Sequence, residues 1–158
     1  MGQAATELGA AINTQVLAKG AKYVVVLHVP DVSTSPFGAT LDAATKGLVV
    51  NMATAFNSTL NQGLAGKPGI LLVDAYTQGR DQVANPGQYA LSNVTTAACS
   101  KTSPANPLAG SSLACTASSL IPGDTSKYLF ADDVHLTPYG YGLLAQFVTK
   151  NLATAGWL

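Results

Sequence analysis

The run Lys22-Tyr23-Val24-Val25-Val26-Leu27-His28-Val29, ended by Pro30-Asp31, constrains this chain more than any other stretch. After Lys22 its side chains are apolar or aromatic except for His28, with no alternation that would leave one face to water. A short β-branched run of this kind reads as a strand of a parallel sheet, buried on both faces. Such a strand needs covering helices, and helical patterns flank it. Residues 4–19 place Leu8, Ala11, Ile12, Gln15 and Val16 on one face, and Gly20 stops the pattern. A loop through Ser33, Ser35, Pro36 and Gly38 leads to a longer pattern, roughly 40–64, striped by Leu41, Ala44, Leu48, Met52, Phe56, Leu60 and Leu64. The breaker Gly66-Lys67-Pro68-Gly69 precedes a second buried strand, Ile70-Leu71-Leu72-Val73-Asp74. The order α-β-α-β is half of a doubly wound sheet.

Further on, a short helix is expected over 78–84, before the turn Asn85-Pro86-Gly87. Residues 92–126 show no periodicity, and a structureless stretch that long needs a staple. It holds both cysteines, Cys99 and Cys115, among Ser, Thr, Ala and Pro, with no histidine nearby for a metal site. Free thiols are one reading. A disulfide closing a surface loop in an oxidising compartment is the one we favour. The last helix is well marked, with Thr137 as N-cap, Pro138 at its first position, and Tyr141, Leu144, Ala145 and Val148 along one face. No linker or repeat divides the chain, so residues 1–158 are read as one domain.

Composition narrows the function. Eight Lys and Arg balance eight Asp and Glu with no basic stripe, which argues against a nucleic-acid partner. No window approaches the roughly 18 consecutive apolar residues of a membrane span. Low charge, at 10% of residues, with many Thr, Asn and Ser, suits a secreted, periplasmic or cell-surface protein. No metal and no organic cofactor is expected.

The segment Tyr128-Leu-Phe-Ala-Asp132-Asp133-Val-His135-Leu-Thr137-Pro138 carries chemistry. Ester hydrolysis needs a base that strips a proton from a weak hydroxyl nucleophile and returns it to the leaving group, and a carboxylate that holds the imidazole in the right tautomer. A three-residue loop spacing can bring Asp132 to Nδ1 of His135 and leave Nε2 free. On its own an Asp-x-x-His pair is common. In context, Tyr128 to Val148 resembles the last sequence block of the SGNH, or GDSL-type, esterases and lipases, where such a pair supplies two triad members just ahead of the closing helix. The stretch Ala21 to Asp31 with Pro36-Phe37-Gly38 is similar to the fourth strand and following loop of the secreted and autotransporter-esterase branch. Ala55-Phe56-Asn57, Leu72-Val73-Asp74, Val94-Thr-Thr and the two cysteines also fit, so the resemblance covers nearly the whole chain.

The resemblance implies a flavodoxin-like three-layer α/β sandwich of strand order 2-1-3-4-5, of which only the last two parallel strands and their flanking helices are here. It also implies a Ser-His-Asp mechanism on acyl esters or lipids, with His135 and Asp132 catalytic. The departure is clear: the family's Gly-Asp-Ser block, its oxyanion glycine and its Gly-x-Asn block are absent, and the sequence starts about where the third strand should have ended. Ser33 and Ser35, although at the carboxyl end of a strand, lack the strand-to-helix elbow of a nucleophile and read as loop residues. His28 reads as a hydrogen-bonded core histidine, Asp74 as a turn cap, Asp133 as a second acid pointing away from His135, and Tyr139 and Tyr141 as packing residues. Asn57-Ser-Thr59 and Asn93-Val-Thr95 are glycosylation sequons where the source glycosylates.

Two expectations follow. The chain is part of an esterase whose nucleophile and oxyanion donors lie outside it, or it is an inactive truncated fragment stable as an oligomer. Either way the edge of strand 22–29 should pair with another polypeptide, the missing N-terminal portion or a second copy.

Overall fold

The computed structural model describes all 158 residues as a mixed helix and strand fold with two parallel strands, compatible with an α/β class. Helix α1 (Gly2–Ala11) runs on through a wider turn, Ile12–Val16, and a tight one, Leu17–Lys19, before the chain turns at Gly20. Strand β1 (Val24–Leu27) pairs with β2 (Ile70–Val73) in the register Val24 to Ile70. Between them lie a short helix α2 (Pro36–Ala39) and the 22-residue α3 (Ala43–Leu64), capped by the Asp42 carboxylate on the Thr45 amide. Helix α4 (Ala75–Ala84) follows β2 at once, and α5 (Pro138–Thr154) closes the fold.

Local rules account for most of these boundaries. Thr137 caps α5 by accepting from the Gly140 amide, with Pro138 behind it where a missing N–H costs nothing. Helix α4 starts three residues earlier than its apolar pattern, because Asp74 caps it on the Thr77 amide. The strand is shorter than the run that predicts it, since Lys22, Tyr23 and Pro30 find no ladder partner on β2.

Alternation sorts the sheet into two unequal faces. Val24, Val26, Ile70 and Leu72 join Ala5, Ile12, Leu60 and Leu64 in one core beneath α1 and α3. The stripe read along α3 is correct only at its C-terminal end: Leu60 and Leu64 are buried, whereas Leu48 and Met52 face outward. Helix α5 also packs against β2, and on the opposite face of the sheet Leu27 stays partly exposed. A second core of Leu91, Leu129 and Phe130 lies under the long loop, away from the sheet. Only 28 residues of the chain are buried, so its two small cores leave much apolar surface uncovered.

The long loop is laced rather than loose. Leu129 donates to Asn93, Ala98 to Phe130, Cys99 to Ala131 and Ile121 to Ala98. A disulfide joins Cys99 to Cys115, and Cys99 is buried beneath it.

Candidate active site

The residues from Leu129 to Thr137 form a tight hairpin ahead of α5. Ala131 donates to His135 O at 2.8 Å and Thr137 donates to Leu129 O at 2.9 Å. Gly140 makes the close approach of α5 possible, because a Cβ there would lie 2.8 Å from Leu129 O. The turn is anchored to the loop after β1 by the Phe37 amide, which donates to Asp133 O at 2.9 Å. That loop folds tightly in turn, since a Cβ on Gly38 would meet Ser33 O at 2.3 Å.

In the turn Asp132 and His135 face each other. His135 Nδ1 lies 3.0 Å and 2.9 Å from the two carboxylate oxygens of Asp132. Oδ1 also accepts from the amides of Val134 at 3.0 Å and His135 at 2.8 Å, and Oδ2 from the amide of Ser112 at 2.8 Å. Burial pushes the Asp132 carboxyl up. The amides of His135, Val134 and Ser112, together with the Ser112 hydroxyl, more than offset it and hold the group well below the usual carboxylate range. The acid is therefore a fixed anion, and a carboxylate at Nδ1 places the mobile imidazole proton there. The His135 side chain is 55% exposed, against 11% for Asp132, and its Nε2 has no partner within the chain. Asp133 turns away, as its spacing predicts, and pairs with Lys101 at 2.7 Å.

His135 stands between two grooves. One, of about 430 Å³, lies at the carboxyl end of β1 and is walled by Leu27, Val29, Phe130, Leu136 and Leu144. The other, of about 780 Å³, lies under the disulfide loop and is walled by Leu113, Leu120, Tyr139 and Tyr141. No serine hydroxyl bonds to His135. The Ser35 hydroxyl donates to Val32 O at 2.8 Å and caps α2 on the Gly38 amide, and Ser33 is buried in the turn capped by Asp31. Ser35 satisfies its local backbone as read from sequence, whereas Ser33 is held through its amide on Asp31. Gly123-Asp124-Thr125, the nearest approach to a Gly-Asp-Ser block, is a plain turn in which Asp124 accepts from the Ser126 amide.

The chain matches no family model and no curated protein.

Beside the pair, His28 is a core histidine, its ring held between Asn61 Oδ1 at 2.8 Å and Asp74 Oδ1 at 3.1 Å. The structure corrects one reading of Asn57. Its side chain is buried and clamps the backbone of Val29, accepting from N at 2.9 Å and donating to O at 3.0 Å, so the sequon there offers no free amide for a glycan. Asn93 likewise accepts from the amides of Thr95 and Thr96. Sequence reasoning missed two contacts. The buried Asp31 carboxylate pairs with Arg80 of α4, 49 positions away. Ser112 reaches Asp132 across 20. Neither pair has a local spacing that could have announced it.

Proposed function

We propose that this chain is the C-terminal part of an SGNH, or GDSL-type, carboxylic ester hydrolase domain, and that it supplies the acid and base of a Ser-His-Asp triad. The observation that carries the reading is the Asp132 carboxylate seated on Nδ1 of His135, with Nε2 unpartnered and the residue lining an apolar groove at the carboxyl end of parallel strands. In that arrangement His135 Nε2 takes the proton of an incoming hydroxyl nucleophile and returns it to the departing alcohol. Asp132 holds the Nδ1–H tautomer and stabilises the imidazolium in between. The serine and the oxyanion donors come from residues outside this chain, since no hydroxyl here is placed to serve. The apolar walls beside His135 suit acyl esters or lipids. A disulfide, and the lack of any helix long and apolar enough to cross a membrane, fit a secreted, periplasmic or surface setting.

A partner follows from the free edge of β1. Val24 and His28 donate to Gly69 O at 2.8 Å and Val73 O at 3.0 Å, so alternation turns the N–H and C=O groups of Tyr23, Val25 and Leu27 to the other side, where no strand lies. No proline or charged residue lies between Tyr23 and Leu27, and Tyr23, although it packs edge-on against Trp157, is 72% exposed. The accessible surface of 8749 Å² exceeds the roughly 7,400 Å² expected of a folded monomer of 16.1 kDa, by more than the ~800 Å² one side of a standard interface buries. A polypeptide carrying the nucleophile, docked as a parallel neighbour of β1, would bring its carboxyl end to the groove beside His135.

The same edge supports a second reading, an inactive fragment held as a dimer. About a two-fold axis at Val25, Tyr23 of each copy would face Leu27 of the other in an antiparallel, self-complementary pairing. Hydrolysis of a p-nitrophenyl ester separates the two. An assembly containing this chain turns the ester over and His135→Ala abolishes turnover on the first reading. An active assembly untouched by His135→Ala would overturn the assignment.

A further inference from the structure

Of the three backbone donors on Asp132, two belong to its own turn and come with the hairpin. The third does not. Ser112 N–H reaches Oδ2 from the far end of the unpatterned loop, from the first position of the tight turn Ser112–Ala114, which Ser111 caps on the Leu113 amide. Oδ2 is also one of the two oxygens on His135 Nδ1, so Ser112 holds the oxygen that the local donors leave free.

The loop has few other ways of keeping Ser112 there. The segment 107–114 has Leu108 and Leu113 exposed, at 53% and 87%, with no core contact to fix it. Within it Asn106 Nδ2 donates to Ser111 O at 3.0 Å, a contact internal to the loop. Two contacts tie the segment to the rest of the fold: buried Gly110 lies against Lys101, where a Cβ would be 2.8 Å from Lys101 Cγ, and Cys115, one residue past the turn, is bonded to Cys99. Cys99 is not a remote anchor: its amide donates to Ala131 O at 2.8 Å, on the residue just before Asp132. One path from Ser112 to the acid thus runs through Leu113, Ala114, the disulfide and one backbone hydrogen bond, from the Cys99 amide to Ala131 O.

We infer that Ser112 is a positioning residue for Asp132, and that the Cys99–Cys115 disulfide exists in this fold to keep the Ser112 amide on the carboxylate. The role as an aid to catalysis rests on the hydrolase reading above; the clamp on the carboxylate does not. Its consequence is that the carboxylate cannot rotate about its own side chain without losing either Ser112 or His135.

The test is carbon-13 titration of the Asp132 carboxyl in the full chain, with the Ser112 amide followed in parallel. In the native protein Asp132 stays ionised below the ordinary aspartate midpoint of about 3.9, and the Ser112 amide shift follows its eventual protonation. Ser112→Pro removes the amide donor together with the hydroxyl, at a first-turn position that takes proline and behind a Ser111 whose ψ of 137° suits a following proline, and Ser112→Ala removes the hydroxyl alone. Ser112→Pro moves the Asp132 midpoint up toward the ordinary range. Ser112→Ala keeps the N–H and moves it far less. Cys99→Ser with Cys115→Ser moves it as Ser112→Pro does. A staple serving stability alone would leave the midpoint in place in the folded double serine chain, and an unchanged midpoint there or in Ser112→Pro overturns the proposal. Should neither variant fold, the native titration decides, since a Ser112 amide blind to Asp132 ionisation also overturns it. A working clamp in a chain that hydrolyses nothing in any assembly would retain this inference and remove the hydrolase reading.

Discussion

The hairpin around Asp132 and strand β1 are both short, and they are satisfied to opposite degrees. From Leu129 to Thr137 the backbone is bonded on both sides, to Asn93, to Ala98 and Cys99, and across its own turn, and the one buried carboxylate has every oxygen occupied. Strand β1 is bonded on one edge only, is partly covered on both faces, and with Tyr23 just before it presents three residues of unpaired backbone to the outside. Chemistry requires groups held in place with little freedom, and the hairpin has the means to do that by itself. A parallel strand requires neighbours on both edges and helices on both faces, and this chain provides half of each. One region is complete; the other is an invitation.

The largest effect expected of that comparison is on turnover. In an active assembly Asp132→Asn leaves the hairpin standing and lowers kcat by up to roughly 10⁴, because the amide favours the wrong tautomer of His135. A loss confined to KM would mean that Asp132 orients nothing. Next comes the staple. Opening the Cys99–Cys115 bridge, which closes a span of 16 residues, costs about 3 kcal/mol in the chain-entropy model, read as a lower melting temperature in the double serine chain. Intact mass before and after reductant shows the bridge directly.

Smaller in energy, but most telling for β1, is Val25→Pro. It deletes an N–H that has no acceptor within the chain, so the isolated fold loses little while the partner loses its central pairing. Light scattering should find the native chain associated and the variant monomeric. A native monomer at micromolar concentration with β1 uncovered would break the comparison. Smallest is an acid effect. A carboxyl depressed in the fold stabilises it fully above its unfolded value of about 3.9, and that stability drains away as the pH falls below it. Melting temperatures of the native chain should therefore fall more steeply than those of Asp132→Asn between about pH 5 and pH 3.

The sequence by itself determined whatever depends on neighbours along the chain. The run at 22–29 dictates a strand, although only 24–27 form it and only Val26 is buried, and Thr137-Pro138 dictates where α5 begins. A spacing of three from Asp132 to His135 suffices to bring a carboxylate to Nδ1, because a turn of that length returns on itself. Tertiary structure decided what needs two distant segments to meet. It made Asn57 a backbone clamp in place of a free sequon, turned Leu48 and Met52 outward on a helix whose stripe continues through them, and paired Asp31 with Arg80. It also set Ser112 on Asp132, a contact that no periodicity encodes because its loop has none. The physical reason is common to the three polar contacts. Hydrophobic pattern and capping act over a few residues and are written locally, whereas the partner of a buried polar group is whichever donor the folded chain delivers to it.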